Sequence, residues 1–345
     1  MATITAYRAV CMQVKCRAVS MIKEKAEARA LMQESLERLR HQTLAALAFL
    51  GDDVKLAVFP EYFLTGFPLG DPLPVWADKV CLEMNGPEYE ALGKLAQDGK
   101  IYLAGNAYEV DAHFPGLYFQ TSFLIDPAGQ VILRYRRLNS MFSPTPHDVW
   151  DKYLDVYGLD GVFPVAKTPL GNFAAIASEE ILFPEIARCH AMRGAEIFLH
   201  SSSQANETAK AAKEVCTIAR AVENAAYVVS VNSGGYQGTP VLESSADGGS
   251  KIVDYQGIVL TKTGWGESSA AVAELQLAAL RRFRQRPGMD NLLARQRFEA
   301  YAESYARHQH YPPNNLTEGA SDRSHFLNTQ KATIARLVKC GVLSE

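Results

Sequence analysis

The sequence has no Cys-x-x-Cys pair and no apolar run near the ~20 residues that cross a bilayer. It also has no repeat at solenoid spacing and no low-complexity segment. The cysteines Cys11, Cys16, Cys81, Cys189, Cys216 and Cys340 are scattered, so neither a zinc knuckle nor a redox motif is indicated. Charge of one sign is scarce: the formal net charge is −3, which gives no reason to expect nucleic acid or an anionic membrane as partner. Met1 to Val10 lacks a basic stretch followed by an apolar one. With unpaired thiols, that points to a cytoplasmic chain with reduced cysteines. What is present is apolar material. At 48% hydrophobic over 345 residues, the chain can build a large core, and an α/β protein of this size can be one domain.

The pattern along the chain alternates strand and helix. Tyr7–Cys16 reads as a first strand, and Lys23–Leu50 carries apolar residues at helical spacing up to Gly51-Asp52-Asp53. Strands are expected at 55–60, 101–109, 172–177, 196–201, 227–232 and 270–275, and helices at 87–98, 183–193 and 209–224. Asp126-Pro127-Ala128-Gly129 and Asp254-Tyr255-Gln256-Gly257 are hairpin turns between apolar runs. Residues 139–161 read as a loop with one short helix. Helices are also expected over 292–308 and 328–342, the second following a polar stretch with Pro312-Pro313. Alternation broken by hairpins implies a mixed-sheet α/β fold.

Four places could carry chemistry. Glu61 follows the strand ending in Phe59-Pro60, at the sheet edge where α/β sites form; it also fits an ordinary strand-end acid. Tyr135-Arg136-Arg137 follows a hairpin and also fits a basic sheet edge. Ile176-Ala177-Ser178-Glu179-Glu180 ends an apolar strand and leads into a helix at Phe183-Pro184-Glu185. That is strand–turn–helix geometry that presents a nucleophile beside backbone N–H groups, although Ser178 also fits a helix cap. Arg220 and Glu223 stand three apart at a helix end and read as a structural pair.

Taken together, these motifs resemble the nitrilase (carbon–nitrogen hydrolase) superfamily over roughly residues 5–285. Gln13, Phe119-Gln120-Thr121, Arg193-Gly194-Ala195-Glu196 and the Asn232 strand add to the resemblance. It implies a four-layer αββα sandwich with two mixed sheets, pairing face to face as a homodimer or a higher oligomer. It also implies amide, nitrile or carbamoyl chemistry without metal or organic cofactor. Residues 1–291 would form that domain, and 292–345 a helical extension packed on the domain or on a neighbouring subunit.

Carried over residue by residue, the family's general base falls on Glu61. Its lysine falls on Arg137 and its cysteine on Ser178, with Glu180 at the following acidic position. The Glu179 N–H would help hold an oxyanion. Tyr62, Tyr118, His147 and Trp150 lie in segments that could line a pocket, or could simply pack. A further family glutamate has no secure counterpart; Asp148 and Asp151 are the nearest acids. The departures have physical weight. A thiol ionises near pH ~8.5 and its thiolate is intrinsically nucleophilic, whereas a serine hydroxyl is several units less acidic. An arginine stabilises an oxyanion but cannot shuttle a proton. Three explanations stay open at this level. The site is a working Glu61–Arg137–Ser178 variant cleaving a small amide; it is an inactive relative binding a small ligand or partner protein; or Ser178 is an engineered replacement of a nucleophilic cysteine.

Overall fold

The computed structural model describes residues 6–204, 210–316 and 322–344. In chain order the first elements are β1 (Ala6–Cys11), β2 (Cys16–Arg17), α1 (Lys25–Leu50), β3 (Val54–Val58), α2 (Leu73–Val80) and β4 (Leu82–Glu83). Next come α3 (Pro87–Gly99), β5 (Tyr102–Val110), β6 (Tyr118–Ile125), β7 (Val131–Arg136) and α4 (Trp150–Val162). The second half continues with β8 (Ala166–Thr168), β9 (Gly171–Ala177), α5 (Pro184–Met192), β10 (Ile197–Ser201), α6 (Lys210–Asn224) and β11 (Tyr227–Val231). Then follow β12 (Tyr236–Gln237), β13 (Lys251–Val253), β14 (Val259–Lys262), β15 (Val272–Gln276) and α7 (Leu277–Gln285). The tail holds α8 (Phe298–Ala306) and α9 (Arg323–Lys339).

One sheet has the order β15-β1-β3-β5-β6-β7 with β4 beside β5; the other runs β14-β13-β11-β10-β9-β8. Both are mixed: β1, β3 and β5 are parallel, as are β9, β10 and β11, and antiparallel strands flank them. The strands alternate as half-buried and doubly buried strands must. Leu56 and Val58 of β3 point into the core between the sheets, with Phe173, Leu199 and Val229 opposite. Ala57 points outward to a second core, which also holds Val54 beyond a register shift in the β1–β3 pairing, with Met32 and Leu39 of α1 and Leu92 of α3. On the far side, Ile186 and Ala187 of α5 and Ala221 of α6 close the fourth layer. The chain is therefore an αββα sandwich, and the parallel strands of both sheets bring their carboxyl ends to one edge.

α1 shows why the periodicity was readable. Its buried stripe is Ala28, Met32, Ser35, Leu36, Leu39 and Thr43, at spacings of three and four. Gly51 ends it at φ +106°, where a β-carbon would be strained, and its N–H closes on the Leu47 carbonyl.

Several elements differ from expectation. The first strand stops at Cys11; Gln13 makes an isolated bridge to Ser268, and Cys16–Arg17 turns away to pair with β12. α2 was unread. The expected loop at 139–161 holds a 3-10 turn over Pro146–Val149 and then α4, whose Gly158 sits at φ +65° and interrupts the helical period. The helix expected from 292 shortens to α8, and α9 starts at Arg323, where Asp322 accepts from the N–H groups of Ser324 and His325. For α6, position 209 lies outside the described residues. Past α8 the tail returns to its own domain. The Asn314 N–H donates to the His147 carbonyl and Leu316 to Asp148, each at 3.0 Å, while Leu316 and Phe326 are buried in the α1-side core.

Candidate active site

The chain leaves β3 at Phe59-Pro60 and crosses from one sheet to the other. The Phe59 carbonyl accepts from Ser201 Oγ at 2.8 Å, and the Glu61 N–H donates to the Ser202 carbonyl at 3.3 Å. Glu61 is thereby pinned at the carboxyl ends of β3 and β10, and its side chain is buried. The carboxylate accepts from Gln120 Nε2 and lies 3.6 Å from Arg137 Nη1. Burial raises its pKa above the usual glutamate value; Arg137, Tyr62 and Gln120 work against the rise. A carboxyl group moved in that direction is a better base.

Arg137 follows β7 and is also buried. Its Nη1 donates to Gln120 Oε1 at 2.7 Å, its Nε to the Asn139 carbonyl at 2.7 Å, and its Nη2 pairs with the Glu179 carboxylate. Burial disfavours its charge, but Glu179, Tyr62 and Glu61 outweigh that cost and its pKa lies above the ordinary arginine value. The guanidinium is a fixed cation lying between the first motif and the third.

Ser178 begins a 3-10 turn, Ser178–Leu182, between β9 and α5. Its φ is +51°, the left-handed region that side chains with a β-carbon rarely adopt. Five contacts hold this turn. Glu180, fully buried, accepts from the backbone N–H groups of Leu138 and Asn139 at 2.8 Å and from Tyr135 Oη at 2.7 Å. It thus ties the Arg137 segment to the Ser178 turn. Arg220 Nε donates to the Ile181 carbonyl at 2.9 Å while its Nη1 pairs with Glu223 at 2.5 Å, the structural pairing expected from their spacing. Below the turn, His200 Nε2 lies 2.8 Å from the Ser178 carbonyl. The first turn of such a helix also leaves N–H groups, the Glu179 one included, without an intrahelical acceptor.

Glu61, Arg137 and Ser178 thus converge, joined by Arg137, which touches Glu61 on one side and Glu179, the neighbour of Ser178, on the other. Tyr62 lies with them: it adjoins the Glu61 carboxylate, stands at φ +48° and stacks on Tyr108 at 5.3 Å. The other three pocket candidates do not join. Tyr118 is fully buried, edge-on to Tyr108 at 5.2 Å, as a core residue. His147 packs against Trp150 at 5.7 Å and Tyr311 at 5.9 Å, under the tail. Asp148 accepts from Thr145 N–H and Oγ1 to start its own turn, and Asp151 is exposed at the start of α4; neither is hydrogen-bonded or ion-paired to Glu61, Arg137 or Ser178. Cys189 is half-buried. Gln120 and His200 were not singled out as site residues. The signal was there: each is a polar residue within a strand buried along its whole length, which requires a partner. Among the described residues, no cluster of three His, Cys, Asp or Glu side chains is placed to hold a metal ion.

Comparison with known proteins agrees with this geometry at the level of family and fold. A family profile described as carbon-nitrogen hydrolase matches residues 18–285. A formamidase of Bacillus cereus is 28% identical over 187 residues, 54% of this chain and 52% of the relative. A formamidase of Pseudomonas syringae is 27% identical over 237 residues, 68% of this chain and 64% of the relative. The chain thus matches only about half to two-thirds of the length of these relatives. In structure it is similar to a carbon-nitrogen hydrolase from Helicobacter pylori, with TM-score 0.67 and 20% identity, covering 87% of this chain and 98% of that one. An amidase from Nesterenkonia gives TM-score 0.61 and 20% identity, over 88% and 98% of the two chains.

Proposed function

Because the chain belongs to the carbon–nitrogen hydrolase family, we propose that it is an amidase-type hydrolase acting on small amides through Glu61, Arg137 and Ser178. Carbamoyl compounds and nitriles are the next substrate classes. The observation that carries the reading is the convergence of a buried carboxylate, a buried guanidinium and a serine held at φ +51° at one sheet edge. Three sequence motifs far apart in the chain supply it, and the formamidase and amidase relatives favour the amide class.

In this scheme Glu61 takes the Ser178 hydroxyl proton as Oγ attacks the amide carbon. Arg137 and the Glu179 N–H hold the oxyanion. The C–N bond breaks, the amine leaves with the proton returned by Glu61, and an acyl-serine remains. Glu61 then takes a proton from water, which attacks the ester and releases the acid and Ser178. No metal or organic cofactor enters any step.

One observation favours a second reading, a non-catalytic relative that binds a small ligand or a partner protein. The Arg137 guanidinium already serves Gln120, Asn139 and Glu179, and Glu61 and Ser178 make no direct hydrogen bond. Ammonia release from formamide, acetamide, a carbamoyl compound and a nitrile separates the two. Turnover by the wild type and none by Ser178→Ala supports the acyl-serine scheme; release that survives Ser178→Ala, or none from either, rejects it.

The proposal extends to organisation. Residues 1–291 form the catalytic domain and 292–345 an extension, consistent with a profile match ending at 285 and a tail that folds back on the domain. Self-association uses α5 and α6, where Met192 and Val215 stand exposed, Phe183 just ahead of α5 does too, and Val222 is partly so; sedimentation velocity reads the mass. The working compartment is the cytoplasm, with a small amide as the partner molecule and neither nucleic acid nor membrane as a binding surface.

A further inference from the structure

A left-handed backbone at a residue with a β-carbon persists only when its surroundings hold it there. For Ser178 the contact from the sheet itself is His200. In register, His200 lies between Ile176 of β9 and Ser230 of β11, so its ring spans three strand ends. Nε2 lies 2.8 Å from the Ser178 carbonyl and Nδ1 2.8 Å from Ser230 Oγ. A carbonyl oxygen only accepts, so Nε2 carries the hydrogen, and in a neutral ring Nδ1 then accepts from the Ser230 hydroxyl. The result is a directed relay: Ser230 O–H to Nδ1, Nε2–H to the carbonyl of the turn.

We propose that His200 is a positioning residue that holds Ser178 in its attacking conformation by donating from Nε2 to the Ser178 carbonyl, with its tautomer set by Ser230. This rests on Ser178 being the nucleophile. His200 is not the base of a serine–histidine pair, since its contact is with the backbone and both ring nitrogens are occupied. Its surroundings keep it neutral. It is buried, and the charged groups around it are Lys213 and Glu214 of α6, Asp247, and Lys251 of β13, which line a cavity of about 30 Å³ beside it. Burial pushes its pKa down to about 4; the Ser178 bond resists, and both lysines add to the fall. At neutral pH the ring acts as a fixed dipole rather than a proton carrier.

The test compares wild type, His200→Leu and His200→Gln in ammonia release from formamide and acetamide, alongside ¹⁵N NMR of the wild-type imidazole and thermal unfolding of all three. Leucine removes both polar contacts, whereas glutamine can still donate toward the carbonyl. The expected result is a kcat lower by about tenfold to a hundredfold in His200→Leu, as for a slightly misplaced reacting group, with KM little changed. His200→Gln recovers most of kcat, with an acid limb unchanged from wild type because that limb belongs to Glu61. The NMR spectrum shows a neutral Nε2–H ring down to pH 5. A leucine variant that folds and keeps the wild-type kcat overturns the role, as does an equal loss in both variants or an Nδ1–H ring. A wild type that releases no ammonia removes the hydrolase reading instead, and the NMR tautomer still decides whether His200 donates to the turn.

Discussion

Whether a serine can work at position 178 depends on groups within a few ångströms of it. Replacing it with cysteine supplies a group that ionises several units more readily and a stronger nucleophile. Ser178→Cys is expected to release ammonia at least about tenfold faster than wild type, equivalent to roughly 1.4 kcal/mol of barrier, read as kcat on formamide. A cysteine variant slower than wild type would mean that the pocket is not built for acyl transfer. The base imposes a pH dependence. If Glu61 is the base, as proposed, it must be ionised to accept a proton, and because burial raises its pKa, activity is expected to fall as pH drops through a value above 4.5, the ordinary glutamate value. A kcat/KM profile flat down to pH 4 would exclude Glu61 as the base. In the proposed scheme Glu179 competes with substrate, because its half-exposed carboxylate occupies Arg137 Nη2. Such partly exposed pairs are worth up to about 1 kcal/mol. Glu179→Ala should therefore raise kcat/KM by at most about fivefold, and a loss instead would show that the carboxylate helps orient Arg137.

The elements around the site are fastened by a buried carboxylate, Glu180. Glu180 joins the segment after β7 to the turn after β9, accepting from two backbone N–H groups and a tyrosine hydroxyl. Glu180→Ala strands these buried donors and is expected to cost about 3 kcal/mol in urea unfolding. It should lower activity as well, since Arg137 would lose its anchor. A change below about 1 kcal/mol would show that water replaces the carboxylate freely. Much at this scale was legible beforehand. α1 and the two hairpins announce themselves through spacing and turn residues, and Ser178, Glu61 and Arg137 stand out at strand ends only once the resemblance joins their motifs. α4 was not, because Gly158 breaks its period; nor was the burial of Tyr118, because a tyrosine in a strand can face either way.

Across the whole molecule, two buried histidines couple stability to pH. Burial, with Arg193 nearby, pushes His190 down to about 3, and burial takes His200 to about 4. In the unfolded chain both ionise near ~6.5. Below that pH the unfolded state takes up protons that the folded state refuses, so each histidine removes about 1.4 kcal/mol per pH unit until its folded value is reached. Glu61 and Glu180 act oppositely: their folded pKa values are raised, so a penalty present at neutral pH is relieved as pH falls through them. The histidine contribution to stability should therefore fall from pH 7 to pH 5. His190→Leu should reduce that fall by about 2 kcal/mol, measured by denaturant titration at the two pH values. An unchanged pH dependence in the variant would show that His190 takes up its proton while folded.

The sequence by itself determined most of the order of strands and helices and the mixed-sheet class, and it offered Glu61, Arg137 and Ser178 as motif candidates, because periodicity, turn chemistry and strand-end position are local properties. The resemblance carried by those motifs supplied the four-layer arrangement. Only the tertiary structure decided what each buried polar side chain meets. Gln120 bridges Glu61 and Arg137, Glu180 ties two strand ends, and His200 supports the Ser178 carbonyl. His147 and Trp150 lie instead beneath the tail. These partners are distant in the chain and come within hydrogen-bonding range only when strands pair within each sheet and, for Glu180, when the two sheets pack face to face. A buried donor or acceptor is satisfied by whatever that packing brings beside it, which no local pattern specifies.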